Sequence, residues 1–113
     1  MSNVKFEYLY RDGGNYKNYG SCVFKNPDNL SVDEIERRLE IAFLNRLHFI
    51  AEQVELPELF HDDYPTTDDV SFHEYSGVEL SKEDESDSSQ RTIKEFVEKV
   101  EKESAIGWKL FDP

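Results

Sequence analysis

The sequence predicts an α+β fold, a mainly antiparallel sheet with two helices in the approximate order β-β-α-β-β-α. Three observations support it. The chain begins with apolar residues at every second position, two capping boxes each precede a helical apolar stripe, and short runs between them are rich in aromatic and β-branched residues. Because each helix has one apolar stripe to bury and hairpins pair neighbouring strands, we expect both helices on one face of the sheet.

The first two strands are predicted to form a β-hairpin. Large apolar residues occupy alternate positions of the first strand, a period typical of a half-buried strand: Val4, Phe6, Tyr8 and Tyr10. Residues 12–15 (DGGN) tolerate the backbone angles of a tight turn. Residues 16–24 are aromatic and β-branched enough to return as the second strand.

A first helix is predicted from Ser31 to about Asn45. Ser31 and Glu34 have the spacing of a capping box, in which each side chain satisfies a free backbone N–H group at the helix start. The apolar residues that follow share one stripe of a helix: Val32, Ile35, Leu39, Ala42 and Phe43. Residues 47–54 (LHFIAEQV) either continue this helix or form a strand, and the strand is the preferred alternative.

The next strand is predicted over residues 70–80. Pro57 and the run 61–69 (HDDYPTTDD) indicate a loop before it, whereas its own residues are aromatic and β-branched. Gly77 marks a position for a β-bulge within this strand.

A flexible acidic connector, residues 81–90, is expected to lead into the second helix. It contains no apolar residue whose burial would offset the entropy of ordering it. Thr92 and Glu95 repeat the capping-box spacing. The stripe after them predicts a helix to about Ser104.

The chain is predicted to be one small domain, residues 1–113, whose tail docks through Trp108 and Phe111. The single cysteine, Cys22, cannot form an internal disulfide. Neither a signal peptide nor a membrane-spanning run is expected, so a cytoplasmic location is expected. We interpret Cys22 as a packing residue of a strand and not as a catalytic thiol, because no neighbouring histidine would activate it.

Negative charge is concentrated in one part of the sequence. The chain has 13 Lys and Arg against 25 Asp and Glu, a net charge of −12. Ten of these acids and one lysine lie in residues 61–90, which leaves −9 there and −3 over the other 83 residues. Direct contact with nucleic acid or with an anionic membrane is therefore not expected, and a basic protein partner is favoured. The alternative is that the charge only maintains solubility.

No motif for catalysis or for a cofactor is present. The three histidines, His48, His61 and His73, lie near several aspartates, but their spacing matches no known metal motif, so we favour a solvated acidic loop over a metal site. No strained nucleophile turn and no phosphate-binding glycine loop is found. We therefore predict no catalytic residue, no metal and no cofactor.

The hairpin tip and the acidic loop supply the candidate binding residues. Tyrosine, arginine, asparagine and glycine are typical of recognition surfaces, and we select five residues on that basis: Arg11, Asp12, Asn15, Tyr16 and Tyr19. The predicted acidic face consists of four aspartates: Asp62, Asp63, Asp68 and Asp69. The alternative is structural, with tyrosines that pack across the hairpin and glycines that meet backbone demands.

Three stretches carry a resemblance to known sequences: YLYRDGGNYKNYG (8–20), FIAEQVELPELF (49–60) and FHEYSGVEL (72–80). Together they cover about a third of the chain, and they resemble a group of small uncharacterised bacterial proteins of unknown function. The resemblance implies a bacterial cytosolic origin and no catalytic residue.

The composition and the candidate residues favour a non-enzymatic, acidic protein-binding module of the regulatory, immunity or inhibitor type. A sharper version has the acidic region imitate nucleic-acid phosphates. The alternative function is a small-molecule-binding protein or minor enzyme with a pocket near residues 52–73, where Glu52, His61 or His73 would supply polar groups.

Overall fold

The protein folds around a four-stranded antiparallel sheet with the strand order β2-β1-β4-β3. The structure, a computed structural model, describes residues 2–113. The strands are β1 (Asn3–Arg11), β2 (Lys17–Phe24), β3 (His48–Phe49) and β4 (His73–Ser81). β1 has a neighbour on each side, and its even-numbered side chains are almost fully buried: Val4, Phe6, Tyr8 and Tyr10. The predicted α+β fold is confirmed.

The predicted hairpin is also confirmed. β1 and β2 pair in one continuous register that starts with Val4 opposite Phe24. The turn is closed by the backbone N–H of Asn15, which donates to the carbonyl oxygen of Asp12 over 3.0 Å. Asn15 has a positive φ of 68°, a conformation that asparagine tolerates better than most residues.

A β-bulge interrupts β4 beside the glycine where the sequence predicts one. Gly77 faces Glu7 of β1, whereas Tyr75 faces Tyr8, so Ser76 is the extra residue. A bulge increases the local twist of a strand. The strand itself begins three residues later than predicted and ends one residue later.

Two helices follow the predicted caps: α1 (Val32–Ala42) and α2 (Ile93–Ile106). The hydroxyl of Ser31 accepts from the backbone N–H of Glu34 over 3.1 Å at the start of α1. At the start of α2, Thr92 and Glu95 form a complete capping box. α1 ends three residues earlier than predicted, because Phe43 already has extended backbone angles.

Both helices contribute to one core on the same face of the sheet. The ring of Phe6 on β1 lies 5.0 Å from the ring of Phe96 on α2, and 6.3 Å from that of Phe43, which follows α1. Ile35 and Leu39 of α1 are fully buried in this cluster. The predicted placement of the helices on one face is therefore correct.

Residues 47–54 form only a short strand, so the preferred interpretation is correct for two residues and wrong for the rest. β3 consists of His48 and Phe49, and a single turn of 3-10 helix follows at Glu52–Val54. Phe49, Ile50 and Ala51 are all buried. Three consecutive buried side chains do not fit the alternation of an edge strand, so the chain turns into the core instead.

Residues 82–91, here called the strap, connect β4 to α2 across the edge of β2. The backbone N–H of Ser86 donates to the carbonyl oxygen of Val23, and its hydroxyl accepts from the Val23 N–H, both over 2.9 Å. Asp87 is buried and bonded to Arg91. The connector predicted for residues 81–90 thus has hydrogen bonds and a buried ion pair, which its composition does not indicate.

The C-terminal tail docks through its tryptophan. The indole N–H of Trp108 donates to the carbonyl oxygen of Ala42 over 3.0 Å, and the ring packs against the core. The backbone N–H of Phe111 donates to the Ser71 hydroxyl, while its ring stays 41% exposed. Within residues 2–113, neither helix has the length and hydrophobicity that crossing a membrane requires.

Candidate functional site

The hairpin tip, residues 10–20, lies against the loop of residues 57–72, and we call their joint surface the tip–loop surface. The backbone N–H of Gly13 donates to the carbonyl oxygen of Asp68 in the loop over 2.6 Å. Three hydrogen bonds join the two segments near their exposed ends: Gly13 N to Asp68 O, Asn18 Nδ2 to Leu59 O at 3.1 Å, and His61 Nε2 to Tyr16 O at 3.1 Å. The structure thus unites the two predicted candidate regions in one place.

Two glycines of the tip allow this close approach. A Cβ atom at Gly13 would lie 2.9 Å from the backbone oxygen of Asp68, and one at Gly20 would lie 2.8 Å from a methyl group of Leu59. The contact at Gly13 involves backbone and so fits the structural alternative, whereas the contact at Gly20 involves only the Leu59 side chain. The same contacts hold the recognition candidates in a fixed arrangement.

Tyr10 forms the base of the tip–loop surface. Its hydroxyl donates to Asp69 Oδ1 over 2.5 Å and accepts from the backbone N–H of Val70 over 3.0 Å. Burial raises the pKa of Tyr10, so the phenol stays protonated. Burial would also raise the pKa of Asp69, but hydrogen bonds from Tyr10 and Thr66 lower it below its ordinary value. Asp69 is thus a structural acceptor, although the sequence places it on the acidic face.

Three of the five predicted recognition residues also support the tip itself. The carboxylate of Asp12 accepts from the backbone N–H of Tyr16 over 2.9 Å. Arg11 donates to both oxygens of Glu74, over 3.2 and 3.1 Å, and to the side chain of Asn15. Arg11, Asp12 and Asn15 are therefore engaged within the protein.

The remaining candidates are exposed. Tyr16 and Tyr19 are 73% and 67% exposed, the two highest exposed fractions among the described Phe, Tyr and Trp residues. Asp62, Asp63 and Asp68 lie in the loop and are exposed as well, and Asp63 lines a groove with Tyr16. Within residues 2–113 these three carboxylates form neither an ion pair nor a side-chain hydrogen bond. Two aromatic rings of the tip and three unpaired carboxylates of the loop are thus exposed to solvent.

Two open cavities adjoin this surface. One, of about 430 Å³, is a groove between the tip and the loop, lined by Asp12, Tyr16, Lys17, His61 and Asp63. The other, of about 290 Å³, lies beside Arg11, His48 and Glu74. In the second cavity Arg11 is paired with Glu74, and His48 Nε2 lies 3.9 Å from the same carboxylate. Burial lowers the pKa of His48.

The polar residues of the predicted small-molecule pocket do not converge. Glu52 lines a cavity with the C-terminal tail, and His61 lies in the groove between tip and loop. His73 is 1% exposed, with its ring among those of Tyr10 and Phe60. In the described part of the chain, no three His, Cys, Asp or Glu side chains are placed to hold a metal ion.

Cys22 lies on β2 opposite Phe6 and belongs to the hydrophobic core. Burial raises the pKa of its thiol to about 11, and Asp87 beside it acts in the same direction. A thiol with this pKa stays protonated at neutral pH and is a poor nucleophile. The interpretation of Cys22 as a packing residue agrees with its place in the core.

Sequence reasoning did not find the role of the residues that organise the surface. His61 and Leu59 hold the tip from the loop, and Tyr10 and Glu74 fix its base. None lies within a motif, and each contact joins residues far apart in the chain. Neither a family model, nor a curated protein, nor a solved structure matches this chain.

Proposed function

We propose that this protein is a non-enzymatic binding module of the cytoplasm that engages a basic protein partner through the tip–loop surface. The observation that carries the proposal is the pair of exposed tyrosines, Tyr16 and Tyr19, on a tip whose backbone is tied to the acidic loop. Tyrosine gives large contact area at low conformational cost, which makes it a common anchor of protein interfaces.

The fixed backbone supports binding because an ordered surface loses less entropy when a partner docks. Gly13 and Asn18 are both bonded to the loop, on either side of Tyr16. The tyrosines are therefore presented from a rigid base.

The negative charge of this protein favours a basic partner. The net charge is −12, and the exposed carboxylates of Asp62, Asp63 and Asp68 lie in the loop that is bonded to the tip. Opposite charge speeds association and disfavours acidic competitors. A partner with lysine and arginine side chains around an apolar contact fits this surface. If this protein covers the functional site of that partner, its role is that of a regulatory, immunity or inhibitor protein.

The proposal is tested by capture of partners from native lysate with three variants. Tyr16→Ala with Tyr19→Ala removes the aromatic contacts, and Asp62→Asn with Asp63→Asn removes two charges. Asp28→Asn with Glu98→Gln removes the same charge from exposed positions elsewhere. We expect one basic protein to be captured by the wild type and not by the tyrosine variant. The same protein should associate more slowly with the Asp62 and Asp63 variant, and the difference in association rate should shrink as salt is added.

The control pair keeps the tyrosines and changes the net charge equally, so it separates a local effect from a global one. The proposal fails if the captured proteins are the same for wild type and the tyrosine variant. It also fails if the two charge variants slow association equally.

A further inference from the structure

One edge of the sheet is incomplete beside the tip–loop surface. β2 is an outer strand, and its only strand neighbour is β1. In an antiparallel strand the N–H and C=O groups of one residue point to the same side, and the side alternates along the chain. Val23 points both groups away from β1, towards Ser86 of the strap. Ser21, Tyr19 and Lys17 therefore also point theirs outwards.

The strap covers only one end of this edge. Ser86 bonds both backbone groups of Val23, and the backbone N–H of Ile93 donates to the carbonyl oxygen of Lys25 over 2.8 Å. Beyond Val23 the cover ends. Within residues 2–113, the outward backbone groups of Lys17, Tyr19 and Ser21 have no hydrogen-bond partner.

The open edge is accessible and has side chains suited to a neighbouring strand. Lys17, Tyr19 and Ser21 are all exposed. An exposed edge strand offers a row of backbone donors and acceptors to an extended chain. Tyr19 stands within this row, where its ring can pack against a cross-strand neighbour.

We propose that the open edge of β2 from Lys17 to Ser21 accepts an extended, lysine- or arginine-rich segment of the partner as an additional strand. The inference rests on the proposed function and specifies how the partner binds. Backbone hydrogen bonds supply affinity in such strand addition, and alternate side chains supply specificity.

Charge selects a basic segment as the occupant. Asp63, whose carboxylate has no ion pair within residues 2–113, lines the groove with Lys17 at the start of the edge. A second copy of the chain would bring another net charge of −12 to the same place. Like charges at an interface oppose association, so a basic segment fits this edge better than a second copy.

The test uses a short synthetic peptide of alternating lysine and valine, with a glutamate–valine peptide as its charge control. Amide hydrogen exchange is measured at β2 with and without each peptide. We expect the amides of Tyr19 and Ser21 to exchange rapidly in the free protein and to be protected by the lysine peptide alone. The amides of Asn18 and Gly20, which face β1, serve as internal references protected in every sample.

A matched pair of variants tests the same edge with the tyrosines intact. Ser21→Pro removes an outward N–H group, and Ser21→Ala keeps it. We expect Ser21→Pro to bind the lysine peptide about tenfold more weakly than Ser21→Ala. If the proline destabilises the fold, amide hydrogen exchange at Tyr19 and Ser21 of the wild type still shows independently whether the peptide binds at this edge.

Three results overturn the inference: lysine-peptide binding without protection at Tyr19 and Ser21, equal affinity of the two Ser21 variants, or protection of these amides by self-association without peptide. If a partner lost with the tyrosine variant binds Ser21→Pro and Ser21→Ala equally, the edge inference fails and the proposed function stands. If no such partner is captured, the proposed function itself fails.

Discussion

His73 is the buried titratable residue beneath the tip–loop surface. Its Nε2 atom accepts from the backbone N–H of Leu59 over 2.9 Å, so the neutral ring carries its proton on Nδ1. Nδ1 is buried and has no hydrogen-bond partner within residues 2–113. Burial lowers the pKa of His73 to about 4 from its ordinary value of 6.5. Charging this ring in the folded protein is therefore costly.

The His73 pKa predicts a loss of stability in mild acid. When the pH falls below 6.5, the ordinary pKa of histidine, His73 is protonated in the unfolded chain but stays neutral in the folded protein. The contribution of neutral His73 to stability is therefore fully present above pH 6.5 and is lost as the pH falls towards the folded pKa of about 4. The free energy of unfolding should drop by about 3 kcal/mol over this window. Urea unfolding at several pH values measures it.

His73→Gln keeps an acceptor for Leu59 and removes the titration, so its stability should depend less on pH. His48→Gln is the matched control, because burial lowers the pKa of His48 as well. This variant keeps His73, so its stability should still fall in mild acid. Equal pH dependence of wild type and His73→Gln would show that His73 is not the group responsible.

Gly13 and Gly14 are adjacent, but only Gly13 is predicted to be essential. A Cβ atom at Gly13 meets the backbone of Asp68 at 2.9 Å, whereas one at Gly14 meets side-chain atoms at 3.4 Å. Gly13→Ala should cost about 1–3 kcal/mol and loosen the loop, and Gly14→Ala should cost less. Thermal unfolding of both variants checks this, and a larger loss for Gly14→Ala would refute the packing described for the tip.

At the scale of elements, the strap is fixed by one buried ion pair. Arg91 donates to both carboxylate oxygens of Asp87 over 2.9 Å and to the carbonyl oxygens of Val54 and Glu55. Its guanidinium also lies 5.2 Å from the centre of the Phe96 ring. Arg91 thus joins the strap, the 3-10 turn and α2.

Loss of Asp87 should destabilise the protein strongly. Asp87→Ala leaves the guanidinium of Arg91, whose side chain is 10% exposed, without its carboxylate. A cost of about 3–5 kcal/mol is expected for such an unpaired charge. The control is Glu101→Ala, which breaks a more exposed pair with Arg38 and should cost less than about 1 kcal/mol. Equal losses in urea unfolding would contradict the structural role of the strap.

The elements that sequence could predict are those with a local signal. The hairpin has a period of two and a DGGN turn, and both helices have side-chain caps next to their stripes. The strap and β3 lack such a signal, because their structure depends on distant partners such as Val23 and Glu74.

The same distinction applies to the candidate site. The composition of residues 10–20 indicated the tip, and Tyr16 and Tyr19 are indeed exposed. It did not separate these two from Arg11 and Asp12, which bind Glu74 and the tip backbone. Contacts between residues far apart in the chain decide which polar side chains remain free to bind a partner. Residue types alone do not predict those contacts.

For the whole molecule, fold and charge act together. The sheet places the tip at one end and the strap near the opposite end of β2, so one edge is covered at Val23 and open at Tyr19. The acidic loop packs beside the open part. One carboxylate of this loop, Asp63, therefore lies in the groove with Tyr16 and with Lys17, the first residue of the open edge.

Photocrosslinking in the native cell tests the central claim, that the tip–loop surface binds a basic protein, most directly. A photoreactive phenylalanine analogue replaces Tyr16 or Tyr19 in turn, and Ile106, which is 59% exposed on α2, serves as the control position. We predict one crosslinked basic protein shared by positions 16 and 19 and absent at 106. The same products at all three positions, or none at 16 and 19, would contradict the claim.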